Sequence, residues 1–320
     1  MKDVYRWGII GAGSISAKFA EGLKSSPKAE CYAVASRDLS KAEAFASKNG
    51  IMKAYGSYEA MLDDPDVDIV YIATPNNLHY ENTLAALSAG KNVLCEKPFA
   101  LNSKELSEMI DLARRKKLFL MEALWSRFLP SIIKTKELIE SGQLGKAHIV
   151  QADFGFFSQY NPEGRLYNPS LGGGSLLDIG IYPVFLSLFL FGYPDEISVL
   201  SVKSPTGTDN TNGILFSYND GKVASLMSSF AVNLDTEARI YCDKGKITIH
   251  RMFHCPTSVT VSEGSNTQKL PIDFSGNGYN YEADEVMRCL DLGLTESPIW
   301  SLTSSIELMK LLDEIRLKFK

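Results

Sequence analysis

Two short strings in this chain hold side chains able to move a proton: Glu96-Lys97-Pro98, and Asp178-Ile179-Gly180-Ile181-Tyr182. Pro98 disfavours the α region for Lys97 and holds it extended. A lysine fixed that way can polarise an oxygen, and burial brings its titration closer to neutrality. Taken by itself, the string also reads as a surface Glu–Lys pair ahead of a proline turn. Asp178 and Tyr182 stand four positions apart, so they share a face on a helix beginning near Ser175. A phenol releases a proton near neutrality only with help, and an ammonium such as Lys97 beside it lowers its pKa. The competing reading makes Tyr182 an ordinary core aromatic of an apolar helix.

A third string, Gly11-Ala12-Gly13-Ser14-Ile15-Ser16, follows the first strand pattern and opens the first helix pattern. Gly11 permits a tight turn and Gly13 lets a backbone approach a pyrophosphate. The amides at Ser14 and Ile15 then lie at a helix N-terminus, which favours an anion. Ser16 replaces the usual third glycine, and part of the pattern also occurs in S-adenosylmethionine enzymes. The second strand ends Ala35-Ser36-Arg37-Asp38. Ser36 and Arg37 suit a 2′-phosphate, while Asp38 falls late for a ribose hydroxyl, so NADP is expected, with NAD possible. A solvated Arg37–Asp38 loop pair is the alternative. Thr74 and Asn76 close the fourth strand at the carboxyl edge, where ligands of such sheets bind, as does Glu96-Lys97 after the fifth. His79 reads either as a cofactor contact or as a helix-cap or packing residue. Trp125 and Phe154 are candidate walls for a substrate ring. His250, His254 and Cys255 lack a second cluster with matching spacing, so no metal is expected.

These residues need a scaffold, and the first 123 positions describe one. Strand-like runs at 5–10, 31–36, 52–55, 69–73, 92–95 and 118–123 alternate with amphipathic segments. Ile15, Phe19 and Leu23 recur every four residues along one helical face. Asn102, three before Glu105, makes a capping box, and Gly50 and Gly90 sit where helices stop. This alternation predicts an α/β Rossmann domain with a parallel doubly wound sheet over residues 1–123. From 124 to 320 the expectation is an α+β domain with a largely antiparallel open sheet, for substrate binding and oligomerisation. It holds a helix at 131–141, a strand at 148–154, an apolar helix from Ser175, short strands over 197–261, and closing helices at 281–292 and 302–318. In the strand near 223–230, Ala224, Leu226 and Phe230 face one way while Val223 and Met227 face the other. A strand apolar on both faces points to a second cover, such as another subunit.

Composition narrows the class. A 45% hydrophobic and 22% charged chain is globular, and 320 residues suit two domains. The net charge of −5 gives no broad basic field for nucleic acid. The N-terminus lacks a signal peptide, and the apolar run at 179–191 is too short to span a bilayer, so no membrane partner is expected. Five scattered cysteines without CxxC spacing read as reduced thiols of a cytoplasmic protein.

Together GAGSIS, ATPNNLH and CEKP resemble the glucose–fructose oxidoreductase / inositol dehydrogenase / rhizopine catabolism (Gfo/Idh/MocA) family. The likeness continues through Gly172-Gly173-Gly174-Ser175-Leu176-Leu177 into Asp178–Tyr182, and again in Tyr281-Glu282-Ala283-Asp284-Glu285. It implies that Lys97 is catalytic and contacts the nicotinamide, and that the Lys97–Pro98 bond is cis. Many members carry histidine where this chain has Tyr182. The tyrosine, together with Glu122 to Pro130, resembles the branch of dimeric dihydrodiol dehydrogenases and NADP-dependent D-xylose dehydrogenases, where that tyrosine is the proposed proton donor. The resemblance implies an NADP(H)-dependent oxidoreductase, with Lys97 and Tyr182 catalytic; Asp178, on the face of Tyr182, reads either as orienting the lysine or as binding a substrate hydroxyl. A sugar, polyol, trans-dihydrodiol or dicarbonyl is the expected small-molecule substrate, and a homodimer the expected assembly. A non-catalytic cofactor-binding sensor and an NAD-dependent glycosidase are the alternatives.

Overall fold

Strands of a parallel sheet covered on both faces are near-continuous apolar runs, and the first part of the chain supplies them. The computed structural model describes residues 2–319. Its opening elements are β1 (Tyr5–Ile10), α1 (Ser14–Leu23), β2 (Ala29–Ala35), α2 (Leu39–Asn49), β3 (Lys53–Tyr55), α3 (Tyr58–Leu62), β4 (Ile69–Ile72), α4 (His79–Ser88), β5 (Asn92–Glu96), α5 (Ser103–Lys116) and β6 (Leu120–Ala123). The six strands pair in parallel in the order β3-β2-β1-β4-β5-β6. This is a doubly wound Rossmann sheet whose order reverses between β1 and β4. Side chains of β4 and most of β5 are buried, as the apolar runs require.

Local signals set the helix ends. Gly50 takes the left-handed conformation that stops α2, at φ 71°. Asn102 Oδ1 accepts from the Glu105 amide at 3.0 Å. Glu105 answers by accepting from the Leu101 amide and the Asn102 side-chain amide, one residue earlier than a standard capping box.

The chain continues through α6 (Pro130–Glu140), β7 (Ala147–Gly155), α7 (Ile181–Phe191), β8 (Glu196–Lys203), β9 (Asp209–Ser217), β10 (Val223–Ser229), β11 (Ala238–Cys242), β12 (Lys246–Ile249), β13 (Val259–Glu263) and β14 (Asn266–Lys269). It closes with α8 (Tyr279–Asp291) and α9 (Leu302–Leu317). The eight later strands form one open sheet, β14-β13-β12-β11-β7-β10-β9-β8, antiparallel except where β7 meets β10. Ala224, Leu226 and Phe230 are buried beneath α7, whereas Val223 and Met227 stay 40% and 43% exposed on the other face. Leu200, Val202, Leu215 and Ile149 are exposed too. The register sets Leu200 and Met227 on either side of Gly213.

Two compact units result, and the first is discontinuous: Met1–Trp125 with Ser275–Ile306, against Ser126–Phe274 with Glu307–Lys320. The first crossing falls next to the expected 123/124 boundary, but the chain returns to the Rossmann unit through Ser275–Ile306, so the second domain is not the continuous 124–320 expected. The Leu120 amide donates to the Thr295 carbonyl at 3.1 Å, continuing the β6 edge. Lys28 and Tyr5 both bond Asp291, and α8 packs on α1.

The run Pro169–Phe191 is long and apolar enough to cross a membrane by length and composition, but 89% of its apolar 18-residue stretch is buried inside the protein. It is the core helix of the second unit. One π-helical turn, Leu176–Gly180, leads directly into α7. Asp209 holds the start of this run, accepting from the Leu176 amide at 2.7 Å, the Ser175 hydroxyl at 3.0 Å and the Asn212 amide at 2.6 Å. Gly174, at φ 126°, leaves room for it, since a Cβ there would lie 2.2 Å from an Asp209 oxygen. Asp209→Ala strands these buried donors and is expected to cost about 2–3 kcal/mol, read as a lower urea midpoint at unchanged slope.

Candidate active site

In the Rossmann unit the candidate residues gather at the carboxyl edge of the sheet, around the β1/β4 reversal. Gly11 turns the chain at φ 103°, and a Cβ on it would lie 2.8 Å from the Ala73 carbonyl oxygen. Backbone crowding alone therefore dictates glycine at this position. Gly13 is different. Its φ of −98° suits any residue, and an added Cβ meets nothing within 4 Å. Nothing inside the protein demands glycine there, which fits a backbone left bare for a pyrophosphate. Ser14 and Ile15 begin α1, whose N-terminus carries no side-chain cap. Uncapped amides facing open space are what an anion needs. Ser16 is fully buried and its hydroxyl donates to the Gly11 carbonyl at 2.6 Å. Where another glycine is usual, this serine tightens the turn.

At the end of β2, Asp38 caps α2 by accepting from the Ser40 and Lys41 amides and the Ser40 hydroxyl. The Ser40 hydroxyl, ahead of the two amides and Lys41, holds the Asp38 carboxyl below its usual range. Asp38 thus serves the helix, and the expected alternative of an Arg37–Asp38 pair is not formed. Arg37 is exposed and makes no ion pair among the described residues. Ser36 lies beside it, its hydroxyl accepting from the Asp38 amide. The residue pair that could hold a 2′-phosphate is available, and the carboxylate that could hold a 2′-hydroxyl is engaged.

Thr74 follows β4, and Asn76 opens a short 3₁₀ turn ahead of α4. His79 departs from the expectation of a cofactor contact. It is 1% exposed, and its two ring nitrogens meet the Pro98 carbonyl at 2.7 Å and the Thr74 carbonyl at 2.9 Å. Burial pulls its pKa below the usual value despite these acceptors. The ring ties the loop after β4 to the loop after β5 and keeps neither nitrogen for a ligand. The Lys97–Pro98 peptide in that second loop is cis, as the family resemblance implies. Glu96 is buried, accepting from the Tyr71 hydroxyl and from the Lys97 amide at 3.1 Å. Lys97 itself is half-buried. Trp125 is stacked on Tyr279 with ring centroids 4.2 Å apart. Sequence reasoning did not identify that platform, because Tyr279 lies far along the chain.

In the second unit Tyr182 is the second residue of α7 and 6% exposed. Its ring packs against Phe154, at 5.8 Å, and His254, at 4.7 Å, which stack on each other at 4.2 Å. Phe154 therefore does stand beside the candidate proton donor. His254, which drew notice only as a weak metal candidate, completes the trio. His250 instead engages Thr260 and Glu237. Among the described residues no group of three or more His, Cys, Asp or Glu is placed to hold a metal. Asp178 lies in the π turn and accepts from Arg165 Nη1 at 2.7 Å. The guanidinium comes from the loop after β7, so a carboxylate expected to meet substrate already has a cation beside it.

Comparison with known proteins agrees with this geometry. Residues 5–124 match the model of an oxidoreductase family with an NAD-binding Rossmann fold, and residues 132–248 match the GFO/IDH/MocA C-terminal domain. Trans-1,2-dihydrobenzene-1,2-diol dehydrogenases of Danio rerio and Homo sapiens are each 39% identical, across 97% of this chain and 96% of theirs. Among solved structures, the aldose-aldose oxidoreductase of Caulobacter crescentus superposes with a TM-score of 0.87 at 25% identity, covering 98% of this chain and 97% of that one. KijD10, a 3-ketoreductase from Actinomadura kijaniata in complex with TDP-benzene and NADP, gives 0.87 at 23%, covering 99% and 98%. The family model that matches the Rossmann unit is one of an NAD-binding fold. If Arg37 holds a 2′-phosphate, Arg37→Ala is expected to raise KM for NADPH about 10- to 100-fold. KM for NADH should move little, and equal shifts for both cofactors would refute the assignment.

Proposed function

The chain belongs to the Gfo/Idh/MocA family of NAD(P)-dependent oxidoreductases, and on that footing we propose that it interconverts a CH–OH group and a carbonyl on a small cyclic diol or sugar. The observation that carries this reading is the placement of Tyr182 within an aromatic trio, on a helix whose start is anchored by Asp209. When bound, the nicotinamide supplies or accepts the hydride. Tyr182 gives the reacting oxygen its proton in reduction and takes it in oxidation. Lys97, kept extended before Pro98, brings a positive charge that polarises a carbonyl oxygen. Phe154 and His254 offer flat faces to a ring-shaped substrate. Asp178 receives a neighbouring substrate hydroxyl, with Arg165 holding its charge in place.

The relatives named trans-1,2-dihydrobenzene-1,2-diol dehydrogenase support a diol, and the aldose-aldose oxidoreductase supports a sugar. The exposed apolar face around Leu200, Met227 and Leu215 supports a homodimer joined through that sheet. Five free cysteines, two of them buried, are in keeping with a cytoplasmic setting.

Lys97→Met and Tyr182→Phe are each expected to lower kcat by about 10²- to 10⁴-fold while NADPH still quenches or shifts protein fluorescence on binding. The double variant should lose no more than the weaker single one, since both groups serve one oxygen. Near-wild-type turnover in either variant would remove that residue from the mechanism. A lasting change in nicotinamide absorbance on adding a diol or sugar separates this reading from a sensor and from a glycosidase without net redox change. For the assembly, Leu200→Glu is expected to convert a dimer to a monomer in light scattering after gel filtration, and a monomeric wild type would sink that part.

A further inference from the structure

In the second unit, at the carboxyl end of β10, the loop after β7 and the turn between β8 and β9 enclose a cleft of about 490 Å³. That size seats a small ring-shaped molecule. Its walls include Phe157, Tyr160 and Tyr167, and Asn210 and Phe230 form its floor. The loop is fixed through its backbone. The Phe156 amide donates to the Ser229 carbonyl at 3.0 Å, the Ser158 amide to the Phe230 carbonyl at 2.9 Å, and the Phe157 amide to Asn233 Oδ1 at 3.0 Å. Tyr167 is pinned at both ends, its hydroxyl donating to the Ser158 carbonyl at 2.9 Å and its carbonyl receiving the Thr206 hydroxyl. The Tyr167 ring meets Tyr160 at 5.1 Å and Phe230 at 5.8 Å, both edge to face. On this fixed frame Phe157 and Tyr160 are nevertheless 66% and 42% exposed. A pinned loop that turns two aromatic rings to solvent gains little core packing from them.

We propose that this cleft is a binding site for a neutral six-membered ring that carries hydroxyl groups. Phe157 and Tyr160, beside Tyr167, offer aromatic surface to the face of such a ring. Asn210 supplies the polar contact. Its Oδ1 is buried and meets no partner within the protein, while its backbone carbonyl is engaged by the Phe230 amide at 2.9 Å. A buried acceptor left unsatisfied is costly, and the O–H group of a ligand seated on Asn210 would satisfy it. An ionised carboxylate has no proton to offer. Charge points the same way: among the described residues that line the cleft only Lys203 is charged, and it is exposed, so no cation lies on the floor to receive an anion. The site is separate from the aromatic trio, since Phe154, Tyr182 and His254 do not line it. Phe156 bridges the two places, its ring 6.3 Å from that of Phe154 and 5.3 Å from that of Phe230.

Ala231 also lines the cleft, so its methyl group, labelled with carbon-13 and assigned through Ala231→Gly, reports occupancy by NMR without any turnover. Catechol and methyl glucoside are the probes, one an aromatic diol and the other a sugar ring. At least one of them is expected to shift this resonance saturably, and which one does so identifies the source of the ring. The fully O-methylated form of that probe cannot donate a hydrogen bond and should bind about tenfold more weakly. In N210L this discrimination should vanish. F157A and Y160A should each weaken binding by about 3- to 10-fold, with kcat unchanged in F157A. Phe157 is exposed and the comparison of each probe with its methyl ether needs no variant, so the test stands even if N210L does not fold. No saturable shift with either probe, a methyl ether that binds as well as its parent, a discrimination that survives N210L, or affinities unmoved in both F157A and Y160A would each overturn the proposal. A resonance that responds to protein concentration and to neither probe would give the cleft to a second copy of the chain, and would overturn it too.

Discussion

The close approach of Gly11 to the Ala73 carbonyl is the contact on which the first unit's edge depends. It exists because β1 and β4 are neighbours on either side of the order reversal, so their carboxyl ends meet without any intervening strand. From there the edge is linked strand to strand. Ser16 closes the Gly11 turn, His79 ties the Thr74 loop to Pro98, and Glu96 grips both Tyr71 and the Lys97 amide. Three strand ends are joined through buried polar contacts, and the groups left facing outward are the α1 amides and Ser36 with Arg37. Positioning in such a site comes from bonds that never touch a ligand.

The second unit solves a similar problem by other means. An apolar helix has no preferred rotation about its axis unless something polar fixes its start, and Asp209 does this with three donors. The π turn that follows places Asp178 where Arg165 reaches it, and Tyr182 where Phe154 and His254 pack on its ring. Single π turns inside helices often occur at functional sites, because the extra residue re-aims the side chains on one turn.

Much of this was legible because it is periodic or local. The glycine string, the strand–helix alternation, the Asn102 cap and the Lys97-Pro98 turn are all encoded within a few residues of one another. The parts that were not legible depend on distance in the chain. Ser275–Ile306 reads as one helix and the start of another, and nothing in its spacing says which unit it covers. His79 reads equally as ligand or strut until the carbonyls of Thr74 and Pro98 are found on either side. His254 enters the site through ring stacking, which leaves no repeat in a sequence. Asp38 reads as late for a ribose, and its role as the α2 cap follows only from the turn geometry.

Two buried carboxyls show how satisfaction separates architecture from function. Asp209 is 8% exposed and fully engaged, so its presence is explained by the helix it anchors. Glu282 is more deeply buried and bonds to nothing. A leucine in its place would fill the space without the desolvation cost of roughly 1–3 kcal/mol or more that an unsatisfied polar group carries. Packing and fold stability therefore give no reason for an acid at this position.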